Sequence, residues 1–182
     1  MRIIGGSARG ARLKTPRTRG IRPTSDRVRQ SIFDLLGQRM DGLRVLDLFA
    51  GTGALGLEAL SRGAAHCTFV ERDRRHARLI RQNLRALGFE DRARVVVGDA
   101  LSLRLADVAF DLVFADPPYA MPAERVVGRI AAEPERLLEG ARVVVEHDRR
   151  SAAPARVPPL CRTLERRYGD TMVSLYRVRD VG

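Results

Sequence analysis

The chain has 182 residues, enough for one substantial core and short for two. Its apolar fraction of 45% is ordinary for a folded domain, and no apolar run approaches the length of a membrane span. The basic residues are almost all arginine, because Lys14 is the only lysine; a G+C-rich genome produces such a skew as well as function does, so the net charge of +11 points toward a phosphate-rich partner only where it is concentrated.

That charge is uneven. Residues 1–30 hold Arg2, Arg9, Arg12, Lys14, Arg17, Arg19, Arg22, Arg27 and Arg29 against Asp26 alone, nine bases to one acid and a local excess of +8. Arg2-Ile3-Ile4 and Ala11-Arg12-Leu13-Lys14, joined by Gly5-Gly6-Ser7-Ala8-Arg9-Gly10, read as a basic hairpin. We expect residues 1–20 to be an extension of a domain covering 21–182; a solvated tail is the competing reading. Arg and Gly interrupt this segment too often for a secretory h-region. Cys67 and Cys161 form neither a disulfide framework nor a zinc pattern, so a cytoplasmic location is expected and Cys67 reads as a small core residue. His66, His76 and His147 lack metal-ligand spacing.

Beyond a loop from Pro16 to Pro23, Thr24 or Ser25 can cap a helix running to about Gln38, with Val28, Ile32, Leu35 and Leu36 on one face. From Arg44 the pattern changes. Arg44–Phe49 is apolar enough for a strand buried on both faces, and Gly51-Thr52-Gly53 turns it into a helix from Ala54 to Arg62, closed by Gly63. His66–Glu71 is a second strand. Asp73 caps a helix that keeps Ala77, Ile80, Leu84 and Leu87 at helical spacing until Gly88. Arg94–Val97 and Phe110–Ala115 are further strands. A helix near Pro122–Ala132, a strand at Ala141–Glu146 and an antiparallel hairpin, Arg162–Tyr168 with Thr171–Val178, complete the chain.

Strands alternating with helices predict an α/β fold with a mostly parallel sheet, helices on both faces and a C-terminal antiparallel hairpin. Right-handed crossovers bring the C-terminal ends of parallel strands to one edge, where ligands bind. Asp47, the Gly51/Gly53 turn, Glu71, Asp99 and Asp116 all fall at such ends. Gly51, Gly53 and Gly56 match a dinucleotide fingerprint numerically, so a nicotinamide enzyme is one alternative. Asp47 sits badly with a pyrophosphate; it suits the ammonium of a methionine. Glu71 can accept both hydroxyls of a ribose, and Asp99, beside Ala100, can accept from an adenine amino group. Each acid could also be a simple cap or strand stop. Asp116-Pro117-Pro118-Tyr119 sets an acceptor beside an aromatic ring, which suits a planar amino group; an ordinary Pro-rich turn is the plainer reading.

Asp47 through Ala59, Asp-Leu-Phe-Ala-Gly-Thr-Gly-Ala-Leu-Gly-Leu-Glu-Ala, resembles the S-adenosylmethionine (SAM) motif of class I, Rossmann-like methyltransferases. Asp116–Tyr119 resembles the branch that methylates amino groups. With Arg2–Gly6, Arg9-Gly10, Arg22-Pro23-Thr24 and Arg27-Val28-Arg29, the whole chain resembles the RsmD-type 16S rRNA guanine-N2 methyltransferases. Gln30 and Asp34 stand where Glu and Asn are expected in such relatives. The resemblance implies SAM as methyl donor, held by Asp47, Gly51, Gly53, Glu71, Asp99 and Ala100. It implies as substrate a guanine of 16S rRNA in the small subunit; a monomer is expected.

The guanine amino group is a poor nucleophile because its lone pair is delocalised into the ring. Asp116 Oδ and the Pro117 carbonyl can accept its two N–H groups and favour a pyramidal nitrogen, so no strong base is required. Tyr119 can stack on the base, worth about 1–3 kcal/mol, once the nucleotide leaves its own stack. Arg2, Arg9, Arg12, Arg22 and Arg27 are expected at phosphates, which position RNA without reading its sequence. DNA adenine-N6 methylation, protein glutamine methylation and a non-catalytic RNA-binding module remain alternatives; the first usually needs a further recognition domain, and the last needs neither Asp116 nor Tyr119.

Overall fold

Apolar runs bounded by glycine or a carboxylate become strands in this structure, a computed structural model that describes residues 1–16, 26–104 and 108–179. The chain divides into two units, Met1–Ala100 and Leu101–Gly182. The first contains α1 (Asp26–Leu36), β1 (Arg44–Leu48), α2 (Ala54–Ser61), β2 (His66–Glu71), α3 (Arg74–Leu87) and β3 (Ala93–Val97). Its strands are parallel in the order β3-β2-β1. Val45, Leu46, Cys67, Phe69 and Val70 are buried, as the lack of alternation in β1 and β2 requires.

Two glycines set the local geometry. Gly56 opens α2 toward β2, where an added Cβ would lie 2.3 Å from Phe69 Cε1 and 2.7 Å from Cys67 Sγ. The third glycine of the fingerprint spacing thus serves close helix–strand packing, a need that dinucleotide and SAM enzymes share. Asp73 caps α3 by accepting from the Arg75 amide at 2.7 Å, and Gly88 ends it in the left-handed region. α2 stops one residue before the expected Arg62, which is its C-cap.

The expected hairpin is present in reduced form. A single antiparallel bridge joins Arg2 to Arg12, flanked by Ile3 N–H to Ala11 O (3.0 Å) and Gly10 N–H to Ile3 O (2.9 Å). It is no appendage, for residues 1–16 are fastened to α2 and α3. The Glu58 carboxylate accepts from the Ile4 and Gly5 amides at 2.8 and 2.7 Å. Ser61 O accepts from Ser7 N–H at 2.7 Å, and an added Cβ at Gly6 would sit 1.9 Å from that oxygen. Asn83 accepts from the Lys14 amide and donates to the Lys14 carbonyl. The division expected near residue 20 is therefore not where the described packing separates.

α1 is shorter than expected, and the predicted caps Thr24 and Ser25 lie outside the described residues, as does Arg22. Its inner face is Val28, Ile32, Phe33 and Leu36 with Arg29, while Leu35 is only half-buried. Gln30 and Asp34 meet each other: Gln30 Nε2 donates to Asp34 Oδ1 at 2.7 Å.

The second unit contains β4 (Phe110–Ala115), α4 (Ala123–Ala131), β5 (Leu137–Asp148), β6 (Arg156–Val157), β7 (Leu160–Tyr168) and β8 (Thr171–Val178), its strands in the order β4-β5-β8-β7-β6. β4 and β5 are parallel, and β8 runs antiparallel to both β5 and β7. β5 begins four residues before the expected Ala141, because Leu137 pairs with Phe110 across an irregular register that Glu139-Gly140 conceals in the sequence. The two-residue β6, paired with the start of β7, is too short to leave a pattern.

Candidate functional site

β1 delivers Asp47 and then the turn Phe49–Gly53. Phe49 has φ 56°, where a bulky side chain is strained by about 1–3 kcal/mol, and Gly51 and Gly53 follow at 54° and 76°. Gly53 is required twice, by its φ and by an added Cβ 3.1 Å from Ile80 Cγ1. Gly51 differs. The nearest atom to its hypothetical Cβ is Phe49 O at 3.8 Å, so its bare surface faces open space that the protein does not fill. Glycine there permits the left-handed turn and lets a ligand lie against the backbone.

Three buried carboxylates hold this unit's glycine-bearing loops. Asp47, 2% exposed, accepts from the Gly56 amide at 3.0 Å, so it caps α2 from the neighbouring strand where Gly53 has no side chain to do so. Enclosed to this degree, it places a negative charge behind the turn rather than at its surface. Glu71 accepts from the Gly51 amide with Oε2 at 2.7 Å and from the Asp73 amide with Oε1 at 2.8 Å. A carboxylate has about four lone-pair sites, so both oxygens can still accept a hydroxyl. Gly98 N–H donates to Glu71 O at 3.1 Å, which places the end of β3 beside the end of β2; after it Asp99 is exposed and Ala100 buried. Asp47, Gly51, Gly53 and Glu71 are thus tied together through their own hydrogen bonds and the turn they share.

The third carboxylate, Glu58, is fully buried. Besides the Ile4 and Gly5 amides it receives Arg62 Nε at 2.9 Å and lies 3.6 Å from Arg29 Nε. Arg29 also donates to Arg2 O and to Asp26, and Arg62 lies over the Phe33 ring at 4.6 Å. Arg29, counted in the basic excess, is therefore wholly internal. Arg2, Arg9, Arg12 and Arg27 are exposed, as a surface for phosphates requires. Burial, with the Asp47 charge behind it, pushes the Cys67 thiol well up and leaves it an inert core group.

In the second unit, β4 ends directly at Asp116-Pro117-Pro118-Tyr119. Pro117 and Pro118 have no amide hydrogens, so this stretch presents acceptors with few donors. Among the described residues the Pro117 carbonyl accepts no hydrogen bond, whereas the Pro118 carbonyl closes a turn by accepting from Met121 N–H at 2.8 Å. Asp116 is half-buried. Tyr119 is 43% exposed, and its hydroxyl is bonded to Thr171 Oγ1 of β8 at 2.6 Å. An aromatic ring tethered at its tip and open elsewhere is suited to stacking. Sequence reasoning did not anticipate Thr171, because only the fold brings the start of β8 to this loop. His147, also in this unit, is buried and bonded to Ser174 Oγ at 2.9 Å, a core role.

Comparisons with known proteins agree over nearly the whole chain. The family model described as Conserved hypothetical protein 95 matches residues 1–177. The Bacillus subtilis protein named "Putative rRNA methyltransferase YlbH" is 40% identical, over 98% of this chain and 100% of its own. "Ribosomal RNA small subunit methyltransferase D" of Escherichia coli is 46% identical over 65% of this chain and 60% of its own length. Among solved structures, "Putative methyltransferase yhhF" from Escherichia coli superposes with a TM-score of 0.84 at 36% identity, covering 98% of both chains. The fold alone is shared with an RNA methyltransferase from Salinibacter ruber solved with S-adenosyl-L-homocysteine, at 20% identity and a TM-score of 0.63 over 87% of this chain and 94% of that one.

Proposed function

This chain belongs to the Conserved hypothetical protein 95 family, the RsmD family of methyltransferases, and on that premise we propose that it methylates the exocyclic N2 of a guanine in 16S rRNA. The observation that carries the reading is the acceptor-rich end of β4: a half-buried Asp116, an unused Pro117 carbonyl and the tethered ring of Tyr119. The small-subunit assignment is supported by what the Escherichia coli relative is named for.

SAM fits the residues of the first unit. The open face of Gly51 is a cradle for its methionine end, Asp47 supplies charge against the ammonium, Glu71 offers lone pairs to the ribose hydroxyls, and Asp99 with Ala100 suits the adenine. When bound, SAM supplies a methyl group already activated on a sulfonium. The remaining task falls to protein groups. Asp116 Oδ and the Pro117 carbonyl each accept one N–H of the guanine amino group, which draws the nitrogen lone pair out of the ring and stabilises the positive charge that develops there. Asp116 then accepts the departing proton, directly or through water. Tyr119 fixes the plane of the base, and alignment supplies much of the remaining rate. The exposed Arg2, Arg9, Arg12 and Arg27 hold phosphates around the target, with Arg22 assigned by sequence alone.

Methyl-labelled SAM, incubated with the chain and in turn with naked rRNA, assembled small subunits, DNA and protein extract, tests this. We expect label in small-subunit rRNA, recovered after digestion as N2-methylguanine. Label in adenine or in a protein band alone would overturn the assignment, as would SAM binding with no transfer to any acceptor.

A further inference from the structure

We propose that the outer face of α3 is a second RNA contact surface, a groove that binds consecutive phosphates through Arg74, Arg78 and Arg81. The inference rests on the reading above that the substrate is RNA. Those three side chains, with Val97 of β3, line a groove of about 520 Å³. They lie at i, i+4 and i+7, one helical face, and span about 10 Å along the axis.

The other arginines of this helix supply the contrast. Arg75 is paired with Asp73 at 3.0 Å and Arg85 with Glu90 at 3.2 Å. Arg74 and Arg78 have neither an ion pair nor a hydrogen bond among the described residues, and both are exposed. Arg81 spends one N–H on Val95 O at 3.0 Å, which fixes its position and leaves most of its five donors for a ligand. The arrangement does nothing for the helix. Like charges one turn apart repel, and Arg74 in the first turn opposes the macrodipole. A row of cations along an open groove is matched by a polyanion with regularly spaced charge. Val97, 40% exposed, adds an apolar contact of the kind a sugar or base provides. None of the N-terminal arginines lines this groove, so the RNA would be held by a second set of cations.

The test is Arg74→Gln combined with Arg78→Gln, leaving Arg81 in place because it secures the backbone of β3. Binding of small-subunit rRNA transcribed in vitro is measured against salt concentration, with melting temperature and SAM affinity as controls. Each lost single-strand phosphate contact lowers the slope of log K on log salt by about 0.7, so the pair should lower it by about 1.4 and weaken binding roughly tenfold near physiological salt. Melting temperature should hold or rise slightly as that repulsion is relieved, and SAM affinity should not move. Arg166→Gln with Arg167→Gln, equally exposed on β7, should leave the slope as it is. A slope unchanged in the α3 variant, an equal fall in the β7 control, or a defect confined to binding an acidic protein would overturn the inference. Failure of the underlying reading shows separately, as a wild-type chain that transfers no label to any rRNA.

Discussion

The glycine turn after β1 and the proline loop after β4 both end buried parallel strands, yet they are stiffened by opposite means. The turn is braced by carboxylates: Glu71 accepts from the Gly51 amide, and Asp47 from the Gly56 amide of the helix that follows, on either side of a turn in which Phe49 has positive φ. The loop is stiffened from within, by two pyrrolidine rings, and Tyr119 is tethered through its hydroxyl to Thr171. A turn braced by buried charge suits a ligand that never varies. A loop that holds a half-buried carboxylate beside an exposed ring suits a base delivered by a large partner. Damage to the first should therefore register as lost stability and cofactor affinity, and damage to the second as lost turnover in a protein that folds normally.

Asp116→Ala should give the largest effect. On the proposed mechanism, losing this acceptor should cut kcat by about 10²–10³-fold, with SAM affinity and melting temperature close to wild type. Near-normal turnover in single-turnover assays would sink the mechanism. Glu71→Gln is the reciprocal case. One oxygen becomes an amide that cannot accept from Gly51 or Asp73, so a charged hydrogen bond worth about 1.5–3 kcal/mol is lost. Denaturant unfolding should show that fall together with weaker SAM binding. Unchanged stability would mean that the turn does not depend on its brace.

The elements that position these groups were legible because β1, β2 and β4 are continuous apolar runs with glycine or a carboxylate at their ends. What each carboxylate faces was not. Asp47, Glu58 and Glu71 are ordinary letters in a pattern, and only the fold shows that Asp47 receives an amide of α2, Glu71 the Gly51 amide and Glu58 two amides of the N-terminal segment. Charge counting failed in the same way at Arg29, which adds to the basic total of the leader and yet is buried against Glu58. The leader itself read as an appendage because its glycines suggest freedom. Gly5 and Gly6 are there for close contact with Arg62 and Ser61 instead. Deleting the leader would leave a buried glutamate short of two amides, so charge-only substitutions at Arg9 and Arg12 are the sounder probe of RNA binding.

Tyr119→Phe asks how much the Tyr119–Thr171 tether contributes. The ring and its stacking remain, while one hydrogen bond, worth about 0.5–1.5 kcal/mol net, disappears. The expected result is a rise in KM for RNA of about threefold to tenfold with kcat nearly unchanged, and Thr171→Val should reproduce it. An effect as large as that of Asp116→Ala would mean that the loop depends on external bracing after all, and the contrast with the glycine turn would fail.

The smallest effect concerns His66, at the start of β2 in the braced unit. Burial, and then the charges of Arg44 and Arg94, hold its pKa below the ordinary 6.5. The folded state thus resists a proton that the unfolded chain takes up. Below pH 6.5, and down to the lowered folded value, the unfolded state binds more protons, so stability falls as pH falls. Asp73 and Asp148, held at about 2 by Arg75 and Arg150, stay ionised through this window and contribute no slope there. Melting temperature should therefore decline between pH 7.5 and 5.5 in the wild type and decline less in His66→Gln. Parallel curves would mean that His66 takes up its proton as readily in the folded chain as in the unfolded one, and that its two neighbouring arginines are screened by solvent.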